Sequence, residues 1–121
     1  MSIVSHKVAH WKDVPEEEVE GAKGLYRRWL ISREDGAPNF AMRLFRMAPG
    51  GRSAHHSHDW EHEVFVLSGR GRANVGGMTY DLYPGVFLFI PAGVDHSFEN
   101  VGGEDLLFLC MVPIKGVPPQ R

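Results

Sequence analysis

The chain is poor in cysteine. Cys110 is the only one among its 121 residues, so no disulfide can form within one copy. A lone cysteine is typical of proteins in a reducing compartment, and we therefore expect a cytoplasmic protein whose stability does not come from disulfides. The polar stretch 1–11 also lacks the apolar core of a signal peptide.

The chain also lacks an excess of charge and any long hydrophobic run. It carries 13 lysines and arginines against 15 aspartates and glutamates, so there is no overall positive field to attract nucleic acid or an anionic membrane. The longest apolar runs, 64–67 and 86–90, are strand-sized and far too short to span a bilayer. We therefore expect neither nucleic acid nor a membrane as a partner.

Short runs of valine, leucine, phenylalanine and tyrosine alternate with glycine, proline, asparagine and aspartate from about residue 25 onward. This spacing predicts an all-β sandwich or barrel. The length allows one hydrophobic core, so we expect a single domain over 1–121, with a core barrel over about 25–113 and a frayed tail over 114–121. The predicted strands are Leu25–Ser32, Phe40–Ala48, Arg52–His56, Glu63–Ser68, Gly71–Val75, Met78–Leu82, Val86–Ile90, His96–Asn100 and Leu106–Val112.

Two connecting segments carry local signals. Gly76 and Gly77 predict a two-residue hairpin turn, because glycine adopts positive φ without steric cost. The segment Asp13–Glu20 has an N-cap aspartate, a proline and glutamates that favour the first turn of a helix. Glycines at 21 and 24 would end such a helix at once, and an acidic loop is an equal alternative.

Histidines are concentrated in one part of the sequence. His56, His58 and His62 lie at even offsets, so in an extended segment their side chains would share one face. His96 follows after a stretch patterned like two or three strands. Imidazole is the most common nitrogen ligand of divalent first-row metals. We predict that these four histidines bind one metal ion.

Two spaced motifs in this region resemble those of the cupin superfamily. The first has matching glycines and histidines at Gly50, His56, His58, His62 and Gly69. The second is matched at Gly85, Pro91, His96 and Asn100. The resemblance implies a double-stranded β-helix, or jelly-roll barrel, with a metal inside. The stretch 59–67 is especially similar to the four-histidine, manganese-binding subgroup, which implies manganese. Iron, nickel, zinc and copper are alternatives because nitrogen-rich sites accept all of them.

Most cupins place a glutamate third among the four ligands, and this chain offers both His62 and Glu63 there. Position 62 is separated from Gly69 by six residues, as in the first motif, and lies at an even offset from His56 and His58. Glu63 would need a bulge to turn inward. We predict that His62 binds the ion and that Glu63 supports the site from behind or through a salt bridge. Direct ligation by Glu63 is the alternative.

Other side chains are candidates for the pocket. Cys110 would face either the metal or an outer apolar contact. Arg43 and Arg46 fall on opposite faces of their strand, so at most one would point inward and hold a substrate carboxylate, although a solvated arginine is the default expectation. Trp60 would gate the pocket or anchor its loop against the barrel rim. Phe98 is a further candidate for the pocket.

The expected function is that of a metal-dependent oxidoreductase, dioxygenase-like, acting on a small organic substrate. Four protein ligands leave two positions of an octahedral ion open for substrate and oxygen. However, four neutral imidazoles leave the ion its full double charge, which makes a higher oxidation state harder to reach. A non-redox isomerase or decarboxylase and a non-catalytic binding or sensory module are therefore kept as alternatives.

We also expect a homodimer. The stretches 64–67 and 106–109 are apolar on both faces, so one face should meet a second sheet or another subunit. Small cupins commonly pair through their sheet faces, and the resemblance implies the same here.

Overall fold

A computed structural model describes residues 6–117. Within this range, nine β-strands form one continuous sheet. Helical structure within residues 6–117 consists of three-residue 3-10 turns, and none of them has the length to cross a bilayer. The strands are β1 (Glu17–Glu18), β2 (Lys23–Ile31), β3 (Phe40–Arg52), β4 (His62–Ser68), β5 (Gly71–Val75), β6 (Met78–Leu82), β7 (Phe87–Ile90), β8 (His96–Asn100) and β9 (Leu106–Pro113).

The long strand β3 joins the two halves of the sheet. The strand order is β6-β5-β8-β3-β9-β4-β7, and β2 covers the other edge of β3 and also pairs with β1. Residues 40–47 of β3 pair with β9, and Arg52 pairs with β8 beyond Gly50, whose φ is +79°. The sheet therefore folds back on itself, and the predicted all-β jelly-roll fold is confirmed.

Strict alternation along β4 and β9 defines the interior. Every second residue of β9 from Leu106 to Val112 is buried, and β4 buries His62, Val64 and Val66. Val64 lies opposite Cys110 in the register of these two strands. Because side chains alternate across a strand, His62 and Cys110 enter the same interior.

One of the local predictions is wrong, one is confirmed, and one of the two alternatives for Asp13–Glu20 is excluded. The predicted strand Arg52–His56 ends at Arg52, and His56 forms only an isolated bridge to His96. The helix considered over Asp13–Glu20 is absent, because Glu17–Glu18 pair with β2 and these tertiary contacts outweigh local propensity. The hairpin at 76–77 is confirmed, with φ values of 57° and 83°.

Residues 114–117 are not a frayed tail. Ile114–Gly116 form a 3-10 turn, and Val117 is only 3% exposed. Arg33 donates hydrogen bonds to the carbonyl oxygens of Ile114 and Val117, both at 2.8 Å. This segment is therefore held against the barrel; residues 118–121 lie outside the described part of the chain.

Candidate metal centre

Three of the four predicted ligands converge inside the barrel. His62 is the first residue of β4, His96 is the first residue of β8, and His58 reaches them from the connection that precedes β4. One ring nitrogen from each lies within 4.8 Å of the others. His62 and His96 are 7% and 6% exposed. Burial and convergence of three imidazoles are the features expected of a metal centre.

His56 lies beside this trio and outside its close grouping. Its backbone exchanges hydrogen bonds of 2.9 and 2.8 Å with His96. Its ring centroid is 5.4 Å from that of His58 and 6.4 Å from that of His96, and the side chain is exposed. The segment is not a regular strand, so the even spacing of the histidines does not by itself align their rings. Ligation by His56 stays a prediction.

The environment of two rings suits them to bind an ion through Nε2. His96 Nδ1 lies 3.0 Å from the carbonyl oxygen of Val94, and donation to that oxygen leaves Nε2 with its lone pair free. His62 Nδ1 lies 3.5 Å from Cys110 Sγ, while its buried Nε2 has no hydrogen-bond partner among the described residues. A buried polar atom without a partner is costly, and a metal ion would satisfy it. The trio therefore fits a divalent cation.

Loss of hydration disfavours the charged forms of His56, His58 and His62. Burial lowers the pKa of His62 to about 3, and the charges of His96 and Arg43 act in the same direction. Partial loss of hydration is also the main cause of the lowered pKa values of His58 and of the more exposed His56. Because only a neutral ring has a lone pair to donate, the lowered pKa values favour the metal-binding form of these three histidines.

The histidines open onto a cavity of about 770 Å³. Its walls are rich in aromatic side chains: Trp29, Phe45, Trp60, Phe98 and Phe108. The Trp60 ring stacks on His58 with a centroid distance of 4.5 Å and an interplanar angle of 9°. Trp60 lines the cavity, and its stacking on His58 supports the role of a loop anchor, whereas the gating role stays a prediction. Phe98 lines the cavity, as proposed from the sequence.

The default expectation for Arg43 is wrong. Arg43 lines the cavity, and its Nη2 donates to Cys110 Sγ at 3.0 Å. Arg46 points to the other side of β3, where it binds Glu16. Cys110 is buried and faces the cavity, which decides between its two alternatives. Burial raises the pKa of its thiol, an effect that the charge of Arg43 opposes.

Glu63 does not contribute to the cavity. It is exposed on β4, whereas its neighbours His62 and Val64 are buried. The expectation that Glu63 supports the metal site is therefore wrong, because regular β alternation turns its carboxylate outward.

Several cavity residues were missed by sequence reasoning. Phe45 and Phe108 share the parity of Arg43 and Cys110 on their strands, and this pattern could have identified them. Val19 and Val117 reach the cavity from segments with no distinctive pattern. Their positions depend on long-range pairing, which the local sequence does not reveal.

A jelly-roll barrel with histidines converging in its cavity defines a cupin-type protein. Residues 43–112 match the family model described as the Cupin domain, and the chain belongs to this family.

Several relatives with different names are similar to this chain. The structure of the polyketide cyclase RemF from Streptomyces resistomycificus is 37% identical, with a TM-score of 0.86 over 94% of this chain and 82% of that one. The 1-methylthio-D-xylulose 5-phosphate methylsulfurylase of Rhodospirillum rubrum is 38% identical over 79 residues, which are 65% of this chain and 51% of the relative. This chain therefore spans about half the length of that relative. The oxalate-binding protein of Thermotoga maritima is 32% identical over 99 residues, covering 78% of this chain and 80% of the relative.

Proposed function

We propose that this cupin is a metal-dependent enzyme that acts on a small organic molecule in the aromatic cavity. The observation that carries the proposal is the convergence of three imidazoles at the wall of that cavity. The proposed ligands are His58, His62, His96 and, as the fourth, His56. Manganese is the first candidate by resemblance, and iron, nickel, zinc and copper are the alternatives.

Protein side chains prepare the site for this role. The carbonyl oxygen of Val94 orients the ring of His96 through its Nδ1 atom. The sulfur of Cys110 orients the ring of His62 in the same way. Trp60 holds the His58 ring by stacking. Phe45, Phe98 and Phe108 form walls that exclude water from a bound substrate. A divalent ion bound here would act as a Lewis acid that polarises a carbonyl or phenolic oxygen.

Non-redox carbonyl chemistry, such as ring closure, isomerisation or decarboxylation, is the reaction class we favour. Neutral ligands leave the double charge of the ion undiminished, which strengthens its pull on an oxygen and makes its oxidation harder. The name of the 37% identical polyketide cyclase supports the same class. Dioxygenase-like oxidation is the second candidate, favoured by the resemblance of residues 59–67 to manganese-binding cupins.

The test is turnover of a panel of enolisable and phenolic carbonyl compounds by protein loaded with zinc, manganese or iron. We expect a product that is formed with all three metals and without uptake of oxygen. Conversion with manganese or iron, coupled to oxygen uptake and absent with zinc, would instead support the oxidoreductase, because zinc has no redox chemistry.

Two variants complete this test. His96→Ala should abolish turnover, whereas His55→Ala should retain it, because His55 is exposed and pairs with Asp95 outside the trio. Failure of every metal form to convert any compound, with recovery of an unchanged ligand from purified protein, would contradict the enzyme and favour a binding or sensory module.

A further inference from the structure

The guanidinium of Arg43 lies next to the histidine trio. Its Nη2 is 3.0 Å from Cys110 Sγ, and this sulfur is 3.5 Å from His62 Nδ1. The Cys110 sulfur therefore lies between the positively charged guanidinium of Arg43 and His62, which is a proposed ligand of the ion. A compact molecule can contact both the guanidinium and the metal site.

Within residues 6–117, no carboxylate forms an ion pair with Arg43. Other arginines of the chain do have such partners: Arg28 and Arg46 with Glu16, Arg27 with Glu17, and Arg72 with Asp81. Arg43 donates to a sulfur, which is a weak acceptor. Its Nε is buried and has no hydrogen-bond partner among the described residues. A buried donor without an acceptor is costly, and an anionic ligand would remove that cost.

The surroundings of Arg43 favour a flat, negatively charged molecule. The guanidinium carbon is 5.0 Å from the ring centroid of Phe45 and 5.6 Å from that of Trp29. Three further cationic side chains line the cavity, Arg27, Arg33 and Lys115, and of these Arg27 is paired with Glu17. The lining contains one carboxylate, that of Glu20. This excess of positive charge raises the local concentration of anions, and the aromatic walls favour planar groups.

We propose that Arg43 is the anchor for the carboxylate of a planar aromatic or enolic acid whose adjacent oxygen is directed toward the histidines. The planar fork of the guanidinium matches a carboxylate through two parallel hydrogen bonds. This inference rests on the proposed function, because it names the substrate class of the same cavity. It makes Arg43 a determinant of specificity.

The test compares salicylate with salicylamide, which replaces the carboxylate by a neutral group of similar shape. Binding of both probes is measured by calorimetry to the metal-free protein and to the zinc-loaded protein. In the metal-free protein, where only the side chains discriminate, we expect salicylate to bind more tightly by on the order of tenfold or more. This comparison requires no substitution, so it does not depend on the folding of a variant.

Variants then assign the preference to one residue. Arg43→Gln should remove the preference of the metal-free protein for salicylate, and Arg43→Lys should retain part of it because the charge remains while the fork is lost. Arg46→Gln is the matched control, since it removes the same charge from the opposite side of β3, and it should leave the preference unchanged. Unfolding temperatures of all variants verify that they are folded.

Three outcomes would overturn the assignment: equal binding of the two probes to the metal-free protein, no binding of either, or the same preference in Arg43→Gln as in the native protein. If one of these three outcomes is observed but salicylamide still binds in a zinc-dependent manner, only the role of Arg43 is refuted. The proposed function then stays in place. Conversely, a metal-free preference that depends on Arg43 would support the anchor even if zinc failed to bind.

Discussion

Trp60 packs between the ring of His58 and the C-terminal 3-10 turn. One of its faces stacks on His58, and its ring packs directly over Gly116 of the C-terminal turn. A Cβ placed on Gly116 would lie 2.6 Å from Cε2 of Trp60. The absence of a side chain at 116 therefore allows the ring to press against the proposed metal ligand.

Gly116→Ala should lower the free energy of unfolding by about 1–3 kcal/mol, because Trp60 must shift or the turn must open. The measurement is chemical denaturation. Gly103→Ala is the matched control, since a Cβ there meets no atom within 4 Å. Equal stability of the two variants would contradict the close packing of Trp60 on the turn.

At the scale of strands and segments, Asn100 at the end of β8 connects three parts of the chain. Its Nδ2 donates to the carbonyl oxygens of Met47 in β3 and Glu104, at 2.9 and 2.7 Å. Its Oδ1 accepts from the backbone of Gly102 at 2.8 Å. The asparagine of the second motif thus has a structural role, and it fixes the strand that begins with His96.

Asn100→Ala should lower the free energy of unfolding by about 3 kcal/mol, because the buried carbonyl of Met47 and two partly buried backbone groups lose their partner. Asn74→Ala should cost less than about 1 kcal/mol, since Asn74 makes one donor bond to Ser97 and accepts one from Thr79 at a more exposed position. Denaturation of both variants under the same conditions checks the difference, and a reversed order would contradict the account.

The N-terminal segment is attached to β3 by charge. Glu16 accepts two hydrogen bonds from Arg46, at 3.0 and 2.8 Å, and lies 3.6 Å from Arg28. The hydrogen bond from Arg46 is the main cause of the lowered pKa of Glu16. A carboxylate whose pKa is lower in the folded state stabilises the fold above its unfolded pKa of 4.5, and this contribution is lost as the pH falls through the folded value.

Glu16→Gln should therefore lower the stability at pH 7 by up to about 1 kcal/mol, the usual size for a partly exposed pair. The difference from the native protein should shrink as the pH falls below about 4.5. Glu18→Gln, at an exposed position of the same segment, should have no such effect. A Glu16→Gln effect of constant size between pH 7 and pH 3 would refute the ionic attachment.

The strands that form the barrel and the site could be predicted, because the alternation of apolar and polar residues is visible within the sequence of each strand. Period-two burial in β4 and β9 places His62 and Cys110 inside, and the two motifs identified the histidines. The connection that carries His56 and His58 was misread as extended, since its shape depends on the bridge to His96. The C-terminal turn depends on Arg33, which is more than 80 residues away along the chain, and no local pattern reports such a contact.

At the scale of the whole molecule, the outer face of the sheet is unusually apolar. Phe87 and Phe89 of β7 are 77% and 60% exposed, and Phe65 of β4 lies opposite Phe87 at 41%. A contiguous apolar patch on a folded protein indicates an interaction surface. This patch supports the homodimer expected from the sequence, which stays a prediction.

Sedimentation at micromolar concentration should therefore yield twice the mass of one chain. The double variant Phe87→Glu with Phe89→Glu should sediment as a monomer, because buried carboxylates would oppose association. Phe40→Glu, at the exposed start of β3 and away from this patch, should remain dimeric. A native protein that sediments as a monomer would contradict the prediction.

The most direct test of the metal centre is the metal content of purified, untagged protein, measured by elemental mass spectrometry beside two adjacent variants. His62→Ala removes a buried imidazole of the trio, whereas Glu63→Ala removes an exposed carboxylate on the other side of β4. We predict close to one divalent ion per native chain, retained in Glu63→Ala and lost in His62→Ala. Loss of the ion in Glu63→Ala with retention in His62→Ala, or a native protein that takes up no metal, would contradict the account.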